Sequence, residues 1–456
     1  MVATQRGEPR TYGLSANNPV VDAQEKSGGE SGGHAPWHAM AVAWLGEMFD
    51  AMDATIYFIV LFPALSELLH TKDASAIGWH GGLILAMFMV GWSLGSVFFG
   101  MIADRFGRMR ALVSSILLYA FCTALCAFAS SWIELGICRF LVGIGIGGNI
   151  GLATVVVSEH WRGRGRLWTI CILGTSFSAG CFLTGGFNSL FGELGWRPLF
   201  LVGIIPALLT LYIRLTLKES RQYEEDVQAN LVETGEKPRP LAIMQELMTG
   251  ENRRNLIVCA SLAGAAIVGY WAAISWIPAW INTLTGELAV SERSAAMNWL
   301  SFGGLTSSLL TPFAVMRLGR AGTLKLGFGL SLLATVLMFL TVQHYSYELL
   351  AWNFAVGFAC YPPFHIAGLY SVEVFAPRVM GTASGITWGA GRLVAAMAGL
   401  CSGPLIMAFG GSYALAGATV AAVVYSLGFA ASFFVTEPYS FSEEEECSLP
   451  GLVRTI

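Results

Sequence analysis

Three carboxylates recur at every third position of the otherwise apolar run WLGEMFDAMDATIYFIV: Glu47, Asp50 and Asp53. On a helix this spacing keeps all three on one slowly rotating face. Carboxylates crowded together away from water cannot all carry charge, so at least one is expected to hold a proton near neutrality and to exchange it. Asp50 and Asp53 are the expected proton carriers. Glu47, nearest the start of the run, belongs to the same group but reads more simply as an acid paired with a cation or facing water.

Two guanidiniums lie in equally apolar surroundings, Arg139 in CRFLVGIGIGGNIG and Arg392 in TWGAGRLVAAMAG. Holding such a charge at the centre of a bilayer costs about 2.5–3.5 kcal/mol on insertion scales, so each calls for a function or a fixed partner. The planar fork of Arg392 fits a carboxylate, and Gly389 and Gly391 just before it clear room on its helix. Arg392 is therefore the expected ligand of an organic anion, pairing with a first-run aspartate until one arrives. Arg139 serves either ligand binding or pairing and gating. Asn149, Trp276 beside Pro278, and His365 in CYPPFHIAGLY complete the expected binding residues. His365 is equally readable as a hydrogen-bonded packing residue, and Pro362 and Pro363 before it predict a kink. Trp280 reads as an outer aromatic-belt or core residue.

The elements that must position these residues are membrane-spanning helices. Of 456 residues 55% are hydrophobic and 12% charged, a composition that no soluble domain of this length would carry on its surface. A helix crosses the hydrocarbon in about 20 residues. Twelve stretches reach that length: 39–65, 79–102, 111–130, 133–157, 167–190, 198–216, 255–281, 295–316, 324–343, 348–372, 382–408 and 412–435. An all-α membrane protein of two six-helix bundles follows, 37–216 and 255–438, joined by a cytoplasmic linker at 217–254 with some amphipathic helix. Residues 1–36 are expected to be a disordered cytoplasmic tail and 439–456 a second cytoplasmic tail, whose acidic SEEEE reads as a solvated end. With the N-terminus inside, Arg105, Arg108, Arg110, Arg162, Arg164, Arg166, Arg317, Arg320, Lys325, Arg378 and the linker cations face the cytoplasm. Only Lys72, Arg197 and Arg293 fall outside, the asymmetry expected of a multi-pass protein of the inner or plasma membrane.

Eight of the nine cysteines, all but Cys447, lie in apolar runs and read as packing residues. No spacing suits a metal, no nucleophile and base form a catalytic constellation, and no cofactor motif appears. A net charge of −4 with its cations confined to particular loops excludes nucleic acid as a partner. The remaining partners are lipid, protons and a small organic anion, acting on a chain expected to work as a monomer.

The two halves echo each other. DRFGR at 104–108 recurs as MRLGR at 316–320, Glu159 recurs as Glu373, and Lys218-Glu219-Ser220 is echoed by Thr436-Glu437-Pro438. Parallel six-helix repeats with a binding site between them near the midplane are the expected outcome. Met316 stands where the second copy would carry an acid and Pro312 where it would carry glycine, so the second hairpin is expected to lack an acid latch.

The stretch GSVFFGMIADRFGRMR at 95–110, with Gly95, Asp104, Arg105, Gly107 and Arg108 in register, resembles the loop 2-3 signature of the major facilitator superfamily. With GEMFDAMDATIYFIVLFPAL, RFLVGIGIGGNIG, GWRPLFLVGIIPALL, EVFAPRVMGTASG and GAGR, residues 37–438 resemble its metabolite:proton symporters, the group of aromatic-acid, sialate and lactate carriers. The resemblance implies Asp50 and Asp53 in coupling or substrate positioning, Arg392 in recognising an acid, and Asp104 with Arg108 and Glu159 in a conformational latch, to which Gly95, Arg105 and Gly107 are also assigned. Asn149 stands where members of that group often carry an acid. The function expected is transport of a small organic acid with a proton by alternating access. A drug or metabolite antiporter of the same fold and a non-transporting membrane sensor are the alternatives.

Overall fold

The structure, a computed structural model, describes residues 35–71, 73–161, 163–191, 195–206, 240–285 and 290–437. The N-terminal tail, most of the linker, the end of the sixth span and the acidic tail therefore lie outside the described residues. Among the described residues every regular element is a helix, as lipid demands of a chain whose backbone groups have no water to bond. In the first half these are α1 (Ala35–Leu68), α2 (Ala74–Phe106), α3 (Arg108–Cys126), α4 (Trp132–His160), α5 (Gly163–Leu173), α6 (Thr175–Phe191) and α7 (Trp196–Leu201). After the linker come α8 (Pro240–Leu247), α9 (Gly250–Thr285), α10 (Val290–Thr341), α11 (Tyr347–Val374), α12 (Pro377–Ala408) and α13 (Tyr413–Ala431). Helix occupies each of the twelve expected spans, the sixth through its described start.

The breaks have local causes. Helix α1 bends by 49° between Tyr57 and Val60, where Pro63 withholds the amide that residue 59 would accept. The fifth span divides at Gly174 into α5 and α6. Helix α10 holds two spans, because Gly319 (φ 70°, ψ 179°) interrupts it. Gly107, with φ 112°, turns α2 into α3 in the same way. Both sit at the glycine of the repeated hairpin, and an L side chain is strained at either.

Glycines also set how closely the helices approach. A Cβ on Gly91 would come within 2.2 Å of the Phe140 carbonyl, on Gly95 within 2.0 Å of that of Ile144, and on Gly143 within 2.2 Å of that of Phe88. Helices α2 and α4 thus touch backbone to backbone. The second half repeats the contact: Gly303 meets the Phe354 carbonyl at 2.1 Å and Gly357 that of Leu300 at 2.0 Å. These positions lie 212 and 214 residues after their counterparts, the same offsets that relate Arg108 to Arg320 and Glu159 to Glu373. The duplication read in the hairpins is therefore a duplication of helix packing.

The halves meet along α2 and α12. Cβ atoms on Gly381, Gly385 and Gly389, one helical turn apart, would come 3.0, 2.2 and 2.9 Å from the carbonyls of Gly100, Ser96 and Ser93. Among the described residues seven helices, or eight counting the bent α1, are long and apolar enough to cross a membrane. Helices α11 and α12 are not among them, although they run 28 and 32 residues. Both carry buried polar residues inside the bundle, among them Asn353, His365, Ser371, Thr382, Ser384, Thr387 and Arg392, which lowers their apolar average.

Candidate functional site

Between the halves lies a cavity of about 110 Å³ lined from α1, α2, α4, α5, α6, α9, α11 and α12. Glu47 and Arg392 are its charged lining residues, and Trp92, Phe177, Tyr270, Trp271, Tyr361, Phe364 and Trp388 form most of its wall. Arg392 is 3% exposed. Its Nη1 donates to Ser96 Oγ at 3.1 Å, and its guanidinium lies 4.4 Å from the Trp92 ring centroid and 5.9 Å from that of Trp388. Both rings present a negative face to the cation. The indole nitrogens of Trp92 and Trp388 are buried without a hydrogen-bond partner among the described residues. A guanidinium and two indole N–H groups thus gather beside one another.

The three acids of α1 do not crowd together; each has a separate partner. Asp53 accepts from Arg139 Nη1 at 2.9 Å and from Thr123 Oγ1 at 2.7 Å. Asp50 accepts from Asn149 Nδ2 at 2.7 Å. Glu47 accepts from Ser176 Oγ at 3.0 Å. The expected pairing of Arg392 with a first-helix aspartate is therefore corrected, since no carboxylate among the described residues lies within 4.0 Å of it and Asp53 is taken by Arg139. Glu47, the acid most simply read as peripheral, is the one that lines the cavity. Asp50 and Asp53 lie one and two turns further along α1, where the helix has turned towards α3 and α4.

Arg139 and Asn149 likewise serve the acids of α1 and do not line the cavity. Arg139 is fully buried, with the rings of Phe88, Tyr57 and Phe200 at 4.5, 5.3 and 5.9 Å. Its Nε and Nη2 have no hydrogen-bond partner among the described residues. Trp276 is buried but outside the lining, because it stands roughly 140° around α9 from Trp271 at ~100° per residue. Ile267, Tyr270 and Trp271, spaced i, i+3 and i+4, face the cavity instead. Trp280 packs on Phe339 at 4.9 Å and is a core residue.

His365 does line the cavity. Its Nε2 lies 3.2 Å from Ser308 Oγ and its Nδ1 has no partner among the described residues. A Cβ on Gly174 would come within 1.9 Å of Nε2, so the break in the fifth span makes room for this ring.

On the face that carries the basic hairpins the halves are held shut. Asp104 accepts from the amides of Gly381 at 3.0 Å and Thr382 at 2.7 Å and from Thr382 Oγ1 at 2.6 Å. Those donors lie in the first turns of α12, where a helix favours an anion. Arg108 bonds Glu159 at 3.0 Å, the Ala103 carbonyl at 3.2 Å and the Pro377 carbonyl at 2.5 Å. Gly107 supplies the turn. Gly95 and Arg105, expected in the same latch, are outside it: Gly95 packs against α4, and the exposed Arg105 lies over its neighbour Phe106 at 5.2 Å. In the second half Arg320 holds Glu373 through two bonds of 2.6 and 2.7 Å. Glu437 caps the Ala321 amide at 2.9 Å, an acid contributed by the chain after α13 and not by the Met316 position.

Trp92, Trp388 and Ser176 were not foreseen. Trp388 carried a signal, lying four residues before Arg392 and so on the same helix face. Trp92 and Ser176 reach the site only through the approach of other helices, which no local pattern encodes.

A family model described as Major Facilitator Superfamily matches residues 43–399. The chain is 26% identical over 411 residues to the cis,cis-muconate transport protein of Acinetobacter baylyi, covering 89% of this chain and 96% of that protein. It is 26% identical over 379 residues to the niacin transporter NiaP of the same species, covering 77% of this chain and 83% of NiaP. The proton:xylose symporter XylE bound to 6-bromo-6-deoxy-D-glucose shares the fold at a TM-score of 0.71 and 18% identity, over 88% of this chain and 95% of that one.

Proposed function

The chain belongs to the major facilitator superfamily, and from that premise we propose that it carries a small, flat organic acid together with a proton by alternating access. The observation that carries this reading is Arg392, a buried guanidinium with no carboxylate partner among the described residues, in an aromatic cavity that it shares with Glu47. The orphaned indole N–H groups of Trp92 and Trp388 beside it suit carboxylate oxygens. Flat aromatic walls suit a planar, unsaturated body. Similarity to carriers of muconate and niacin, both acids, points the same way.

Coupling follows from charge balance. With Glu47 ionised, Arg392 and Glu47 together are neutral; an entering carboxylate adds a negative charge to a small, dry space. Taking a proton on Glu47 restores neutrality, so anion and proton bind together more readily than either alone. The neutral, loaded site permits the halves to rock, and loss of both ligands on the other side resets it. In this reading the basic face is cytoplasmic, both termini lie there, and a single chain suffices.

The test is uptake into proteoliposomes of benzoate and nicotinate, with and without an inward proton gradient. Gradient-driven accumulation is expected, is abolished in Arg392→Ala, and in Glu47→Gln gives way to exchange without accumulation. Proton-driven extrusion, or counterflow of lipophilic cations with no flux of acids, would overturn the reading in favour of an antiporter.

A further inference from the structure

The cavity has a second polar group, on α6, α9, α10 and α11, whose protons can be traced. Ser308 Oγ donates its hydrogen to the Gly304 carbonyl at 2.8 Å. Towards His365 Nε2, 3.2 Å away, it can therefore only accept, which places the imidazole proton on Nε2. With no carboxylate bonded to the ring among the described residues, Nδ1 is left as a buried lone pair with no donor. Beside it, Ser178 Oγ donates to Tyr361 Oη at 3.0 Å, and Tyr361 Oη and Tyr270 Oη are 3.3 Å apart. Whichever tyrosine donates to the other, one phenolic hydrogen of the pair has no acceptor among the described residues. The Tyr361 and His365 ring centroids are 6.0 Å apart, so the unmet lone pair and the unmet O–H belong to one small neighbourhood.

Buried groups in this condition cost free energy until something fills them. A hydroxyl is the smallest group that satisfies both, donating to Nδ1 and accepting from a phenol. A carboxylate at the same place would set its lone pairs against that of Nδ1. The cavity, about 110 Å³, is on the scale of the roughly 150 Å³ void that admits one benzene ring. We propose that His365 and the Tyr270–Tyr361 pair recognise a hydroxyl on the cargo, which is a hydroxylated single-ring acid with its carboxylate on Arg392. This rests on the reading of Arg392 as the carboxylate ligand.

Calorimetric titration of the purified full chain with benzoate, its 2-, 3- and 4-hydroxy derivatives and terephthalate tests it. At least one hydroxybenzoate is expected to bind about tenfold or more tighter than benzoate, as sites that hydrogen-bond a hydroxyl discriminate, with terephthalate weaker than benzoate. In His365→Phe the ratio of hydroxybenzoate to benzoate affinity is expected to fall to about one. Ser308→Ala, which leaves the ring in place but frees its tautomer, is expected to reduce the advantage and serves if His365→Phe does not fold. Benzoate binding that Arg392→Ala removes, with no hydroxyl preference in the wild type or an undiminished one in both second-pole variants, would overturn the proposal and leave the carboxylate reading standing. A wild-type chain that binds none of these acids would overturn both.

Discussion

At the scale of single residues, the buried charges divide into two sets with different tasks. Arg392 and Glu47 face the cavity, while Asp53 and Arg139 form a pair away from it in which two guanidinium nitrogens have no hydrogen-bond partner among the described residues. Breaking such a pair by truncation leaves an uncompensated charge, at a cost of roughly 3–5 kcal/mol. Asp53→Ala is accordingly expected to lower the thermal melting temperature by several degrees. Asp53→Asn keeps the shape and removes the charge, its amide oxygen accepting from one of the two donors. With the coupling proton on Glu47, Asp53→Asn is expected to retain both exchange and proton-driven accumulation, measured as the ratio of gradient-driven to counterflow uptake. Loss of accumulation with exchange retained would place a coupling proton on Asp53 as well.

At the scale of elements, stability rests on close helix contacts that only glycine permits. A leucine at Gly143 would drive its side chain into the Phe88 carbonyl, where even a Cβ comes within 2.2 Å, whereas Gly78, also in a helix, has nothing within 4 Å. Overpacking of this kind costs typically ~1–3 kcal/mol and more where backbone blocks the way. Gly143→Leu is therefore expected to lose the folded peak in size-exclusion chromatography in detergent, and Gly78→Leu to keep it. Because Gly357 repeats the contact in the second half, Gly357→Leu is expected to behave as Gly143→Leu does.

At the scale of the whole molecule, the α2–α12 seam and the Asp104 latch hold one face closed in this conformation. The latch consists of three hydrogen bonds that Gly381 and Thr382 donate to the Asp104 carboxylate, reinforced by Arg108 on the Pro377 carbonyl. Removing it biases the balance between two global arrangements, and about 1.4 kcal/mol shifts that balance tenfold. Ser384, fully buried two residues beyond the latch, reports on opening when replaced by cysteine. Maleimide labelling of Ser384→Cys from the basic face is expected to rise on the order of tenfold when Asp104→Ala is added. The second half caps its hairpin with Glu437, which follows α13, where the first half sets Asp104 on the start of α12.

Much of this protein is written locally. Apolar length sets the spans, glycine at 107 and 319 sets the hairpins, and a constant offset between repeated residues declares the duplication, because each depends on neighbours a few positions away. The charged residues that matter could also be named from the sequence, since lipid tolerates few of them. Their partners could not. Glu47, Asp50 and Asp53 share a helix face in the abstract, but α3, α4 and α6 divide that face among Thr123, Arg139, Asn149 and Ser176, and only the packing of those helices decides which acid meets the cavity. Trp92, Trp388 and His365 became site residues for the same reason: a helix's own periodicity fixes which way a side chain points, and the angle and depth of its neighbours determine what it points at.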